Sequence, residues 1–235
     1  MKKKILCGGV ALGLIIIGII IGYLVNNDTL KKLPKPEITG GERGKLGIDK
    51  NINEETIDNY LNRSDSVYYD VRMLKDDANW ENIQGDSYLS GFVNGFEVLP
   101  YPFIANDSIS IELESIVGKG YKGPSLFNNV DGKYVANYKE SLEILEFLFP
   151  KDKNIFLMCG GGGYAGQTKN LLISLGWDKD KIYDVGGYWY YNGKNNVKVK
   201  NTRNEKSVYD FWKVKYHSID FKNLTKEQKW ESVLF

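Results

Sequence analysis

The pattern of hydrophobic and polar positions sets the first residues apart from the rest of the chain. Met1 is followed by three lysines, and residues 5–25 then run for twenty-one positions without a charged side chain. As a helix this run is about 31 Å long, which matches the hydrocarbon core of a bilayer, about 30 Å. A cleaved signal peptide has a shorter apolar run that ends in small residues, whereas bulky Tyr23 and Leu24 close this one. The pattern predicts an uncleaved transmembrane anchor over residues 1–25.

The next segment is polar and contains several residues that break regular structure. Residues 26–50 include two prolines and a Gly40-Gly41 pair, a composition typical of a linker. We therefore predict a linker over residues 26–50, a globular domain over residues 51–195, and a C-terminal extension over residues 196–235 whose aromatic side chains pack on that domain.

Within the domain, short apolar strands alternate with helical patterns. Asn53 suits the N-cap of a first helix, and a second helix over residues 138–149 is stopped by Pro150. The other predicted elements are strands at residues 66–71, 154–158 and 181–185 and a helix at residues 165–175. Apolar strands between helices are typical of a parallel sheet that is covered on both faces. The predicted fold class is α/β with a central parallel sheet, preceded by a single N-terminal transmembrane helix.

Composition narrows the possible functions. The 235 residues carry 31 Lys and Arg against 30 Asp and Glu, so the chain lacks the excess of positive charge that nucleic-acid binding needs. Two cysteines, Cys7 and Cys159, and one histidine, His217, are too few for a Cys/His zinc site or a disulfide framework. We therefore expect neither a nucleic-acid partner nor a metal.

The basic residues next to the anchor predict its orientation. Lys2, Lys3 and Lys4 lie on the short N-terminal side of the apolar run and favour a cytoplasmic N-terminus by the positive-inside rule. The chain is thus expected to be a single-pass protein of the cell membrane, with its main domain outside the cytoplasm.

A cysteine and four glycines join the strand that ends at Met158 to the following helix. In an open α/β sheet, ligands bind at this position, the carboxyl end of a strand. Glycines can turn their amide groups inward as an anion-binding nest, and a helix N-terminus adds partial positive charge. Such a setting favours the thiolate of Cys159, which is the reactive form of a cysteine. The alternative is that Cys159 is a small buried hydrophobe, the usual role of a free cysteine.

Two nucleotide-binding motifs overlap the same loop. Gly161-x-Gly163-x-x-Gly166 satisfies the dinucleotide fingerprint, with Asp184 downstream as a partner for a ribose hydroxyl. However, that fingerprint normally opens a nucleotide-binding domain, and only about seventy residues follow it here. The stretch also resembles a phosphate-binding loop, but Gln167 stands where such a loop needs a lysine.

The motifs of the domain occur in the order of a known family. Asp70-Val71-Arg72 follows the first strand, the Cys159 loop follows a later one, and residues 183–189 read Tyr-Asp-Val-Gly-Gly-Tyr-Trp. These features resemble the Asp-Val-Arg signature, the cysteine loop and the closing Gly-Gly-x-x-x-Trp of the rhodanese-like family. The resemblance covers roughly residues 52–193 and implies a three-layer fold around the central parallel sheet.

The resemblance also implies an activity. In that family the cysteine takes a sulfur atom from a donor, becomes a persulfide, and passes the sulfur to a nucleophilic acceptor. This role would fall to Cys159, no cofactor would be needed, and Asp70 and Arg72 would be structural. The implied partners are a small sulfur-containing anion or persulfide donor, and the membrane through Ile5–Val25. The anion-binding loop would consist of Gly160, Gly161, Gly162, Gly163 and Tyr164.

The loop lacks a charged residue that is typical of the family. Family members that use thiosulfate typically carry a cation five positions after the cysteine, where this chain has Tyr164, and related phosphatases need an arginine at the position of Ala165. Lys169, on the following helix, is expected to be a solvated surface lysine. The alternative function is therefore a catalytically inactive rhodanese-fold module that binds or tethers a partner at the cell surface.

Overall fold

A four-stranded parallel sheet lies at the centre of the computed structural model, which describes residues 30–74, 89–106 and 121–227. The predicted membrane anchor over residues 5–25 lies outside these ranges. Within them, no helix has both the length and the apolar character needed to cross a bilayer.

Short helices and strands alternate along the described residues. The helices are α1 (Gly41–Gly44), α2 (Tyr101–Ile104), α3 (Ser141–Leu148) and α4 (Gly163–Ser174). The strands are β1 (Ser66–Asp70), β2 (Gly91–Val93), β3 (Glu97–Val98), β4 (Ala105–Asn106), β5 (Phe127–Val130), β6 (Lys133–Ala136), β7 (Asn154–Cys159), β8 (Ile182–Gly187), β9 (Asn196–Lys198), β10 (Lys200–Arg203) and β11 (Lys206–Tyr209). Single 3₁₀ turns occur at Ile57–Asn59, Lys179–Lys181, Tyr188–Tyr190, Phe211–Lys213 and Phe221–Asn223.

The central sheet has the strand order β3-β1-β7-β8, and all of its neighbouring strands are parallel. The predicted α/β class with a central parallel sheet is thus confirmed. β7 is an inner strand whose residues Ile155 to Met158 are fully buried, which explains its unbroken apolar run. Isolated parallel bridges extend both edges of the sheet, Ile48 with Asp184 beside β8 and Val98 with Tyr216 beside β3.

The two faces of the sheet are covered differently. On one face, Leu145 of α3 and Leu171 of α4 pack in a single apolar cluster with sheet residues such as Tyr69 and Leu157. On the other face, the rings of Tyr68, Phe156 and Tyr183 stack in a row across three strands, with centroids 4.9 and 4.8 Å apart. Burial of these two surfaces supplies most of the driving force for folding.

The helix predicted from Asn53 is wrong, because this segment forms only the 3₁₀ turn Ile57–Asn59. Side-chain hydrogen bonds hold the backbone in turns instead. The Asn53 side chain accepts from the amide of Glu55, and the Thr56 hydroxyl donates to the carbonyl of Asn51 at 2.8 Å. Asn and Thr side chains that bond nearby backbone groups compete with helix formation in this way.

The last residues of the segment predicted as a linker pack on the sheet. Asp49 is fully buried, and its carboxylate accepts hydrogen bonds from the amides of Glu37, Asn51 and Ile52 at 2.7–2.8 Å. Its own amide donates to the carbonyl of Asp184 at 2.8 Å. A buried carboxylate with three amide donors fixes this segment against the edge of β8.

Residues after Tyr191 contribute strands that their polar sequence does not predict. β9 pairs with β2, and β10 forms a hairpin with β11. Further on, the amide of Val98 donates to Lys215 and the amide of His217 donates to Val98, so residues 215–217 run alongside β3. Of the C-terminal aromatic residues, Phe211 packs in a small apolar cluster and Trp212 is 78% exposed.

The loop after β7 lies directly against the end of β8. A Cβ placed on Gly187 would overlap the carbonyl oxygen of Gly160 and would lie 2.6 Å from Cα of Gly161. The carbonyl of Gly160 in turn accepts a hydrogen bond from the amide of Trp189 at 3.1 Å. Glycine at position 187 is therefore required by the approach of two backbones.

We expect Gly187→Ala to lower the free energy of unfolding by about 1–3 kcal/mol, since the added methyl group must displace the loop backbone. Gly163→Ala is the matched control, because a Cβ there meets nothing within 4 Å, and it should leave stability unchanged or raise it by up to about 1 kcal/mol. Urea unfolding of both variants measures the difference. Equal stabilities would contradict the close approach.

Candidate functional site

Cys159 is the last residue of β7 and pairs in register with Gly187 of β8. It therefore lies at the carboxyl edge of the parallel sheet, where α4 begins four residues later. The side chain is only 3% exposed and belongs to the large apolar cluster on the helical face of the sheet.

Backbone amides point at the sulfur. The amide of Gly162 donates to Sγ of Cys159 at 3.1 Å, and the amide of Ala165 also acts to lower the pKa of this thiol. Gly162 is the N-cap of α4 and has a φ of +103°, a left-handed conformation that glycine adopts without strain. The sequence predicts amide donors among residues 160–164, and Gly162 is the one that donates to the sulfur in the described part of the chain.

The other loop residues are held by neighbouring elements. Gly160 is buried and fixed through its carbonyl to Trp189, and a Cβ on Gly161 would lie 3.1 Å from the Trp189 ring. Gly163 opens α4. The ring of Tyr164 lies 5.3 Å from that of Tyr101, tilted against it, and packs on the cluster that contains the cysteine.

The electrostatic setting of Cys159 is opposite to the one expected. Burial raises the pKa of its thiol to about 11, and the negative charges of Asp184 and Asp70 act in the same direction. The amides of Ala165 and Gly162 lower the pKa, but by less. The cost of removing water from a charged sulfur therefore outweighs the effect of these amides, and the resting side chain is a thiol.

Asp70 and Arg72 form a fully buried ion pair beside this edge. Nε of Arg72 donates to Oδ1 of Asp70 at 2.9 Å, and Nη2 donates to the carbonyl of Gly91 at 3.0 Å. The guanidinium also lies over the rings of Phe92 and Tyr188. The pair thus links the end of β1 to β2 and to the 3₁₀ turn after β8.

A cluster of three charged side chains, Arg43, Glu54 and Asp184, lies behind the loop, around Gly186. Asp184 is fully buried; its Oδ1 accepts from the amide of Gly186 at 2.9 Å, while its Oδ2 has no hydrogen-bond partner in the described part of the chain. The Glu54 side chain lies close to the same glycine, because a Cβ on Gly186 would be 3.1 Å from Cδ of Glu54. Glu54 also pairs with Nη1 of Arg43 at 2.7 Å. Burial raises the pKa of Asp184 well above its ordinary value.

The prediction that Lys169 is a solvated surface lysine is wrong. Its side chain is 7% exposed. Burial lowers its pKa, whereas the charges of Asp184 and Asp49 act to raise it. One turn earlier in α4, a Cβ on Gly166 would overlap the carbonyl oxygen of Leu46, so the segment before Asp49 lies against this helix.

The positions of these residues also bear on the two nucleotide-binding motifs and on metal binding. Asp184, the acidic partner of the dinucleotide fingerprint, lies inside the protein, where its Oδ2 would be 3.2 Å from a Cβ on Gly166. It is therefore not available to a ribose hydroxyl at the loop. Gln167 is exposed and adds no charge to the loop. Within the described ranges, no group of three or more His, Cys, Asp or Glu side chains could hold a metal ion.

Sequence reasoning missed Arg43, Glu54 and the burial of Asp184. Arg43 lies in the predicted linker and Glu54 in the first turn of the helix predicted after Asn53, so neither is a site candidate from sequence. The one available signal was the Val185-Gly186-Gly187 run after Asp184, because glycines at a strand end indicate close approach by another part of the chain.

Compared with models of protein families, with curated proteins and with solved structures, the chain has no significant match.

We expect alkylation of Cys159 to become faster by nearly tenfold for each pH unit between pH 7 and about 10, since only the thiolate reacts and its pKa is about 11. The measurement is the iodoacetamide rate of the folded chain in a Cys7→Ser background. The same chain in urea is the control, and its rate should level off above about pH 8.5. A plateau below pH 8.5 in the folded protein would contradict the raised pKa.

Asp184→Asn should make the protein more stable than the wild type at neutral pH. The folded state holds the Asp184 proton more tightly than the unfolded chain, so this group's contribution is complete below the ordinary pKa of 3.8 and is lost as pH rises through the raised folded value. Each unit of that elevation corresponds to about 1.4 kcal/mol.

Urea unfolding of wild type and Asp184→Asn between pH 4 and pH 8 measures this effect. The difference in the free energy of unfolding should grow with pH. Asp152→Asn, at an exposed position, is the control and should show no such trend. A difference that stays constant over this range would show that Asp184 ionises normally in the fold.

Proposed function

We propose that this chain is a rhodanese-like sulfurtransferase whose Cys159 accepts sulfane sulfur as a persulfide and passes it to a nucleophilic acceptor. The observation that carries the proposal is the hydrogen bond from the amide of Gly162, in a glycine-rich loop, to a sulfur at the carboxyl edge of a parallel sheet. The proposal includes the three-layer fold of that family. It also includes a membrane anchor over residues 5–25 that holds the domain outside the cytoplasm.

The chemistry needs a negative sulfur and groups that stabilise it. The Cys159 thiol loses its proton, the thiolate attacks the outer sulfur of the donor, and the donor's bond to that sulfur breaks. The leaving group, sulfite in the case of thiosulfate, departs with the electron pair. The acceptor then attacks the outer sulfur of the persulfide, and the Cys159 thiolate is released. Amides directed at the sulfur stabilise the negative charge at each stage without a histidine.

The raised pKa of Cys159 limits the rate of the first step, the attack of its thiolate on the donor. With a pKa of about 11, only about one thiol in ten thousand is ionised at pH 7. The reaction is consequently expected to be slow at neutral pH and faster in alkaline solution. In this setting the loop stabilises charge that develops during the reaction, rather than a thiolate at rest.

The second candidate is a catalytically inactive module that binds or tethers a partner at the cell surface. The observation that favours it is the burial of Cys159, 3% exposed, in a loop whose residues 160–167 carry no charge. In this case the cysteine is a packing residue, and a partner would be captured equally well by the Cys159→Ser variant.

Persulfide formation distinguishes the two functions. Incubation of the full chain, in a Cys7→Ser background, with a persulfide donor or thiosulfate at pH 9 should add about 32 Da, one sulfur atom, in intact-mass spectra. Addition of cyanide should remove this mass and release thiocyanate, since the sulfane sulfur is transferable. Cys159→Ser in the same background is the control. Absence of the adduct, or its persistence in the Cys159→Ser variant, would exclude the sulfurtransferase and favour the binding module.

A further inference from the structure

One surface of the described chain combines positive charge with an exposed tryptophan. The whole chain has 31 Lys and Arg against 30 Asp and Glu, and residues 194–213 alone have six against two, which leaves 25 against 28 in the rest. Trp212 lies in this basic segment and is 78% exposed, although tryptophan is highly buried on average. The segment therefore concentrates charge of one sign around an indole ring that faces water.

The backbone around Trp212 holds the indole outward. In the same 3₁₀ turn, Phe211 packs against a small buried apolar cluster. The amide of Lys213 donates to the carbonyl of Asp210 at 3.1 Å, and its ammonium donates to the carbonyl of Lys198 at 3.2 Å. Both neighbours of Trp212 are thus fixed, so the fold itself determines the exposure of the indole.

Two cations share one carboxylate beside this turn. Arg203 and Lys213 lie 2.9 and 3.6 Å from the carboxylate oxygens of Asp210, which is 6% exposed, whereas the Arg203 side chain is 62% exposed. Lys206 is exposed and pairs with Arg203 across the hairpin of β10 and β11. Like charges opposite each other destabilise a sheet, and besides Asp210 the segment has one acidic residue, Glu205. The surface thus keeps positive charge that an anionic partner would neutralise.

We propose that this basic hairpin surface, formed by Lys198, Arg203, Lys206, Trp212 and Lys213, contacts an anionic lipid bilayer. The ammonium of Lys213 lies 5.7 Å from the centre of the Trp212 ring. Lys and Arg side chains are attracted to anionic headgroups, and tryptophan is enriched where headgroups meet the hydrocarbon core. The indole and the cations beside it therefore match the apolar and the charged layer of a lipid surface at one place.

Two observations favour a bilayer over a nucleic acid. The positive charge is confined to one hairpin and the turn after it, while the chain as a whole has 31 basic residues against 30 acidic ones, so a long polyanion would find little further attraction. In addition, the proposed anchor over residues 5–25 would keep a lipid surface within reach of the domain. The inference goes beyond the proposed sulfurtransferase and rests on it only through this anchor.

Brominated lipids test the contact, because bromine quenches the fluorescence of a tryptophan that touches it. The full chain is reconstituted into nanodiscs of phosphatidylcholine alone, or of an equimolar mixture with phosphatidylglycerol, each with and without brominated acyl chains. The measurement is the tryptophan emission per chain that is lost on bromination. We expect the wild type to lose more than Trp212→Phe in the discs with phosphatidylglycerol, and both to lose the same in phosphatidylcholine alone. Raising the salt concentration to about 1 M, where the Debye length is about 3 Å, should remove the difference.

Charge reversal tests the basic residues of the surface. Lys198→Glu/Lys206→Glu should lower the ratio of bound to free hairpin surface by at least about 25-fold in the discs with phosphatidylglycerol. The emission loss should then fall to the level of Trp212→Phe. Lys133→Glu/Lys139→Glu is the matched control, since it reverses two charges at exposed positions in and just after β6. It should keep the emission loss of the wild type.

Equal losses from the wild type and Trp212→Phe in the discs with phosphatidylglycerol would overturn the inference, as would an equal effect of the two double variants. A single-stranded DNA oligonucleotide is a further probe. If it changes the emission of the wild type but not of Trp212→Phe, and phosphatidylglycerol causes no added quenching, the surface binds nucleic acid and the inference is wrong. Circular dichroism checks the fold of each variant, and if Lys198→Glu/Lys206→Glu does not fold, Trp212→Phe decides.

The failure of this inference differs from the failure of the proposed function. Persulfide formation on Cys159 is measured as a mass change and depends neither on Trp212 nor on lipid. A chain that stays outside the phosphatidylcholine discs overturns the anchor alone, because vesicles of the phosphatidylglycerol mixture, brominated in the same way, still measure the contact of the basic hairpin surface.

Discussion

The approach of two backbone segments, the loop after β7 and the end of β8, determines the geometry of the candidate site. Gly187 has no side chain because Gly160 and Gly161 occupy the space where a Cβ would be. The loop is then fixed by the hydrogen bond from Trp189 to the Gly160 carbonyl. With its start held in this way, the loop turns at Gly162, aims an amide at the sulfur and begins α4. Backbone groups rather than side chains therefore form the cradle, which makes it insensitive to rotamer changes.

The same close packing has two opposite effects on the cysteine. It directs amides at the sulfur, which favours the thiolate, and it excludes water, which favours the thiol. Burial is the larger effect for Cys159, so the pKa rises to about 11. A sulfur in this state is unreactive toward water-borne electrophiles until it loses a proton, while the amides remain in position for the charge that then develops.

The charged residues behind the loop connect the N-terminal segment of the domain to this edge of the sheet. The Arg43–Glu54 pair and the buried Asp184 meet at Gly186, and Lys169 faces them from α4. Buried charges of this kind give little net stability, but they are costly to rearrange. When ionised, Asp184 also acts together with Asp70 to raise the pKa of the Cys159 thiol.

The sequence alone determined the features that depend on local pattern: the unbroken apolar run of β7, the helix after it, the four-glycine loop between them and the parallel sheet they imply. Each follows from backbone conformation or from burial on both faces. Tertiary structure decided which amides reach the sulfur, the sign of the thiol's pKa shift and the burial of Lys169, because all three depend on segments distant in sequence, such as the one around Asp49. Tertiary structure also decided the strands after Tyr191. Their residues are polar and pair through backbone hydrogen bonds, so the sequence shows no alternation of apolar and polar positions that would predict strands.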